Sequence, residues 1–171
     1  MAVVALGWFL GAVAGITVSA GAGTCDVEPA WTGNGSGVVK YDHTDGEDEV
    51  NQWYAAAGQD YLRSEACADI DVHGEDQNDD VGGGSADDNV WGEAGRDAIY
   101  GGAGDDHLYG GSGDDDFFDA ETSDYDRGQG STDDDVIDFL DGDGLDYLDG
   151  GGGTDNCKGN TGDVESLDCE M

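Results

Sequence analysis

"GGAGDDHLYGGSGDDDFF", residues Gly101–Phe118, is one nine-residue phrase written twice. Each copy sets glycine at its first, second and fourth places, aspartate at the sixth and a large apolar residue at the eighth. Glycine admits the positive φ and close backbone approach of a tight turn, so the first six places read as a loop. Places seven to nine read as a short strand, whose alternation turns the eighth side chain inward and the seventh and ninth outward. One apolar residue per strand, facing its counterpart across a flattened coil, makes a thin continuous core.

The frame extends in both directions. Upstream lie "GEAGRDAIY" (Gly92–Tyr100), "GGSADDNVW" (Gly83–Trp91) and the weaker "GEDQNDDVG" (Gly74–Gly82). Downstream, "DAETSDYDR" (Asp119–Arg127) keeps only its sixth-place Asp124. The frame then slips by four residues within "GQGSTDDDVIDFL" and returns as "DGDGLDYLD" (Asp141–Asp149) and "GGGGTDNCK" (Gly150–Lys158). In this reading the sixth place is aspartate in all eight copies: Asp79, Asp88, Asp97, Asp106, Asp115, Asp124, Asp146 and Asp155. The inward eighth places are Val81, Val90, Ile99, Leu108, Phe117, Leu148 and Cys157, with Asp126 the exception.

Two nine-residue halves make one coil, so each copy stacks on the next but one. Sixth-place carboxylates on one edge then lie one strand spacing apart, about 4.8 Å. Like charges that close require something positive between them. A hard cation taking six to eight oxygens, from carboxylates and from carbonyls of the glycine loops, fits that gap; this is calcium rather than the octahedral, water-retaining magnesium. Stacking within Gly74–Arg127 gives about four sites, and Asp146 and Asp155 raise the expectation to about four to six ions.

"GGAGDDHLY" and "GGSGDDDFF" resemble the G-G-x-G-x-D-x-U-x nonapeptide of the RTX, or haemolysin-type, calcium-binding repeats. The resemblance covers Gly74 to Lys158 and implies an all-β fold, a parallel β-roll, in a secreted protein that folds on calcium. Glu75 and Glu93 depart from the pattern at glycine places, and Ala86 replaces a fourth-place glycine. The ending "DNCKGNTGDVESLDCE" is similar to the closing segment of small secreted actinobacterial repeat proteins, with its pair of cysteines.

Composition narrows the function. Forty-one acids against five bases give a net charge of −36, which excludes nucleic acid and acidic membrane surfaces as partners. Such a chain repels itself: cations fold it, or it is disordered, or it lives in high salt. Halophilic acids scatter over a surface, whereas these recur at one place in nine. Catalytic patterns are absent: His43, His73 and His107 are scattered, and neither G-x-S-x-G nor H-E-x-x-H occurs. The chain is therefore read as no enzyme.

The apolar stretch "AVVALGWFLGAVAGITV", followed by the small residues "SAGAG", reads as a secretory signal over residues 1–22, with a membrane anchor as its rival. An extracellular location follows. Cys25, Cys67, Cys157 and Cys169 allow two disulfides in three connectivities. Neighbour pairing, Cys25 with Cys67 and Cys157 with Cys169, is the expectation, because it staples the two ends of the array. Residues 23–73 form an N-terminal cap, read as mainly β. Within it "GVVKYDHTDGEDEVNQWY" suits a hairpin, although Val50, Trp53, Tyr54, Ala57 and Tyr61 recur at helical spacing. Residues 74–158 form the roll, with a break near 128–140, and residues 159–171 a disulfide-closed C-terminal cap. Outward ninth places carry Trp91, Tyr100, Tyr109 and Phe118. These pair across strands and stiffen the sheets, or else offer an adhesive face to a glycan or cell-surface partner.

Overall fold

The computed structural model describes residues 30–31, 40–42, 51–55, 58–63, 69–119, 121–122, 124–142, 144–165 and 168–169. The apolar stretch read as a secretory signal, Cys25 and Cys67 lie outside them. Among the described residues there is no helix and there are fifteen short strands. In chain order these are β1 (Ala30–Trp31), β2 (Lys40–Asp42), β3 (Asn51–Tyr54), β4 (Tyr61–Arg63), β5 (Ile70–His73), β6 (Asp80–Gly84), β7 (Asn89–Ala94) and β8 (Ala98–Gly102). There follow β9 (His107–Ser112), β10 (Asp116–Phe118), β11 (Arg127–Thr132), β12 (Val136–Asp138), β13 (Tyr147–Gly152), β14 (Asn156–Lys158) and β15 (Val164–Glu165).

Successive strands from β3 onward fall alternately into two sheets, ordered β1-β4-β6-β8-β10-β12-β14 and β15-β13-β11-β9-β7-β5-β3-β2. Pairing is parallel throughout the array, and antiparallel only where β1 meets β4 and β2 meets β3. This is a parallel β-roll, one strand per sheet in each coil. Its inward places stack in register: Leu62, Val81, Ile99, Phe117, Ile137 and Cys157 on one sheet, Val72, Val90, Leu108, Gly128 and Leu148 on the other. The apolar members are all buried and form one core cluster.

Two features differ from the nine-residue frame. Parallel stacking begins at β3, well before Gly74, and of the residues with helical spacing Trp53, Tyr54 and Tyr61 lie in strands, while Val50 and Ala57 fall outside the described residues; Tyr41 of β2 lies opposite Trp53 of β3, as a hairpin requires. Downstream, the slip of four residues resolves into two insertions of two. Phe117 pairs with Ile99 eighteen residues back but with Ile137 twenty residues on, and Ile137 in turn pairs with Cys157. Coils therefore widen from eighteen to twenty residues midway, with longer turns after Phe118 and after Asp138.

That widening corrects the register. Asp126, not Asp124, ends the turn in stack with Asp106, and Gly128, not Asp126, takes the inward place beside Leu108. A glycine in the core would leave a void, but the buried Phe139 ring fills it: a Cβ on Gly128 would stand 2.9 Å from Phe139 Cζ. Residues outside the consensus adopt its backbone nonetheless. Glu75, Gln77, Glu93, Ser131 and Asp133 all carry positive φ, between 73° and 87°, and all stand at second or fourth places. At the C-terminal end Cys157 and Cys169 form a disulfide, Cα–Cα 5.5 Å, which closes the last coil over the inward face.

Candidate metal centre

Most turns of the array end on a buried aspartate, where the chain enters the sheet and its polar groups must be satisfied across coils. The structure does this with a ladder of side chain to backbone bonds. Along one edge Asp79 Oδ1 accepts the Asp60 N–H (2.7 Å), Asp97 the Asp79 N–H (2.7 Å), Asp115 that of Asp97 (2.8 Å), Asp135 that of Asp115 (2.9 Å) and Asp155 that of Asp135 (2.9 Å). Along the other, Asp88 serves Ile70 (2.8 Å), Asp106 serves Asp88 (2.8 Å), Asp126 serves Asp106 (2.8 Å), Asp146 serves Asp126 (3.0 Å) and Asp163 serves Asp146 (3.2 Å).

Seven of the eight aspartates singled out in the sequence stand on these two rows. Asp124 does not; it lies half-buried in the first long turn. Four members were not anticipated: Asp60, Asp126, Asp135 and Asp163. For Asp60 and Asp135 a signal exists, an aspartate two residues before an inward apolar side chain, as in Asp60-Tyr61-Leu62 and Asp135-Val136-Ile137. Asp126 lacks it, because Gly128 follows. A second, exposed row lies at fifth places, where Asp87 accepts the Asp105 N–H (3.0 Å) and Asp134 the Thr154 N–H (2.8 Å).

The inner row is half-satisfied. Oδ2 of Asp79, Asp88, Asp97, Asp106, Asp115, Asp135 and Asp155 is buried and receives no hydrogen bond. Each of these oxygens faces the first-place glycine of its own turn. A Cβ on Gly83 would stand 2.5 Å from Asp88 Oδ2 and 2.8 Å from the Gly101 carbonyl oxygen; one on Gly92 would stand 2.6 Å from Asp97 Oδ2 and 2.9 Å from the Gly110 carbonyl oxygen. The missing side chain thus lets a carboxylate oxygen of the same turn and a carbonyl oxygen of the next coil close in on the glycine, where a Cβ would clash with both. That donor set is all oxygen, hard and anionic, which suits calcium.

Electrostatics point the same way. Burial pushes the Asp106 and Asp115 carboxyls up to about 8 and those of Asp79, Asp88 and Asp135 to about 7, against the backbone N–H bonds that pull them down. For Asp106 and Asp115 the negative charge of neighbouring rungs adds to the rise. Metal-free, these groups resist ionisation at neutral pH; a cation between them removes both costs.

On the outer faces the ninth-place rings stack. Tyr54, His73, Trp91 and Tyr109 form a column with centroids 4.5, 4.5 and 5.4 Å apart and planes within 9°. On the other sheet Tyr100 lies over Phe118 at 5.0 Å.

Residues 82–117 match the family model of the RTX calcium-binding nonapeptide repeat, in four copies. No curated protein and no solved structure matches the chain. That segment is similar to the calcium-binding repeat, and the two rows of aspartate run on beyond it on both sides.

Proposed function

We propose that the chain is a secreted, non-enzymatic calcium binder whose folding is driven by about four to six calcium ions held between stacked Gly/Asp turns. The observation that carries this reading is the buried carboxylate oxygen of the inner row, left without a donor beside a glycine carbonyl. In a chain of net charge −36, closely spaced buried anions oppose compaction. The ladder bonds fix one oxygen of each carboxylate and leave the other, against a first-place glycine, without a donor; the glycines allow this close approach of carboxylate and carbonyl oxygens. Bound calcium supplies the positive charge that the chain lacks, so its binding free energy becomes folding free energy. The Cys157–Cys169 disulfide and the apolar leader fit an oxidising, extracellular setting.

Circular dichroism of the metal-depleted chain in low-salt buffer at neutral pH tests this. Added calcium should raise the β signal cooperatively at roughly 10⁻⁴ to 10⁻³ M, the range of extracellular modules. A chain that keeps its full β signal after metal removal would overturn the reading.

The ring columns raise a second reading, a calcium-dependent adhesion module. Sugars bind aromatic rings through their faces, and in the Tyr54–His73–Trp91–Tyr109 column the inner rings cover one another's faces. That arrangement favours stiffening of the sheet. Retention of the calcium-loaded protein on immobilised glycans, lost in Trp91→Ala, would reverse the preference.

A further inference from the structure

The two sheets turn different outer faces to solvent. Alternation points the seventh and ninth places of each copy outward. On the sheet that runs from β4 to β14, Tyr61, Ala98 and Val136 stand at seventh places, and Tyr100 and Phe118 at ninth places; the register of neighbouring strands brings each set into line. Tyr61 and Phe118 are each 38% exposed, and Tyr100 stacks on Phe118 with centroids 5.0 Å apart. On the other sheet the outward rings of Tyr54, Trp91, Tyr109 and Tyr147 are half-buried, and Trp91 has His73 against one side and Tyr109 against the other.

Charge is distributed as unevenly. Among the described residues three Lys and Arg side chains can be placed, and two of them reach this face: Arg96 donates to Asp116 at 2.7 Å, and Lys158 to Asp138 at 2.9 Å. The Arg96 side chain is still 62% exposed and that of Lys158 43%. Both signs therefore surround the apolar middle formed by Ala98, Tyr100, Phe118 and Val136, in a chain whose net charge is −36. The turn edges differ: Asp87, Asp105, Asp114 and Asp134 stand exposed there.

We propose that this face is the interface of a homodimer, with a second copy of the chain as its occupant. A strongly acidic chain repels its own copies, so two of them meet only where the local charge is balanced. A two-fold interface sets one patch against itself, so the patch must carry both signs, each basic end meeting an acidic one. The Arg96–Asp116 and Lys158–Asp138 pairs supply both signs, and Phe118 with its neighbours supplies apolar area at the centre. A basic partner finds its match at the acidic turn edges instead, and an acidic partner is repelled by the molecule as a whole. The interface needs the folded roll and not the ions themselves.

Sedimentation equilibrium of the full-length chain in saturating calcium reads the dimer, with circular dichroism of each variant as the check on folding. Wild type should fit a monomer–dimer equilibrium. Phe118→Lys, which puts a charge at the centre of the face, and Arg96→Glu, which reverses one of its basic ends, should each weaken the dimer at least about tenfold. Arg96 is the more exposed, so its variant decides the matter if Phe118→Lys folds poorly. Tyr125→Lys, at a 49% exposed ring of the first long turn, should leave the dimer intact. A folded wild type that sediments as a monomer throughout the micromolar range would overturn the proposal and leave the calcium reading standing. So would a dimer kept in both face variants, or a monomer retained on immobilised glycans. A metal-free chain that keeps its β signal and still dimerises through this face would support the interface and sink the calcium reading.

Discussion

Phe139 Cζ stands 2.9 Å from where a Cβ on Gly128 would be, and Ile137 Cγ2 stands at 3.0 Å from the same point. Gly128 is thus the socket for a ring supplied by the next turn. Gly128→Ala should overpack this layer and destabilise the calcium-loaded roll by about 1–3 kcal/mol. Combining it with Phe139→Leu should recover part of the loss, since the two sites share one space. Denaturant melts of the two single variants and the double variant provide the measurement; strict additivity would count against the socket.

Asp106 serves the middle of its row. Asp106→Ala leaves the buried Asp88 N–H without its acceptor and should cost about 1–3 kcal/mol. Asp106→Asn keeps an acceptor but removes the charge. It should stabilise the metal-free chain at neutral pH and weaken its response to calcium, a reversal of sign that a loss of packing alone does not produce. Calcium titrations at matched protein concentration separate the two.

Acidity should act oppositely on the two forms. Burial raises Asp97 to about 6, Asp79, Asp88 and Asp135 to about 7, and Asp106 and Asp115 to about 8, from an ordinary value of 3.8. A raised folded-state value means that the folded chain takes up protons. Its stability is then fully present below about pH 4 and is lost as the pH rises through 6 to 8. The metal-free chain should therefore gain β signal on acidification from pH 8 to pH 5. The calcium-loaded chain should lose affinity over the same range, because protons compete for the same oxygens. Parallel pH titrations with and without calcium check both signs.

The Cys157–Cys169 bridge ties the inward face of β14 to the chain end. Reduction should release about 3 kcal/mol of loop restraint. It should loosen β14 and β15 while leaving β6 to β9 protected, since coils contact only their neighbours. Hydrogen exchange in calcium reads this out; uniform loss of protection along the array would contradict it.

Much of the architecture was legible in the nine-residue phrase. Glycine at turn places, one inward apolar residue and one aspartate per copy are local demands of a tight turn and a short strand, so the two-sheet roll, its core from Val81 to Phe117 and the inner row from Asp79 to Asp115 follow from residues alone. The Cys157–Cys169 pairing follows likewise from an inward place at the array's end. Tertiary structure decided the register beyond Phe118 and the start of the roll before Gly74. Counting along a chain assumes coils of constant length, whereas bonding between coils tolerates two extra residues in a turn so long as each strand meets its neighbour. That is why Asp126 rather than Asp124 receives the Asp106 N–H, and why Gly128 holds a core place that no hydrophobic pattern marks. Upstream, Val72 stacks with no glycine in the nine-residue stretch that ends at His73 to announce it, and Leu62 with Gly58 alone. Local sequence chose the kind of turn and strand, and the hydrogen bonds that each coil offers to the next chose which residues stand in line.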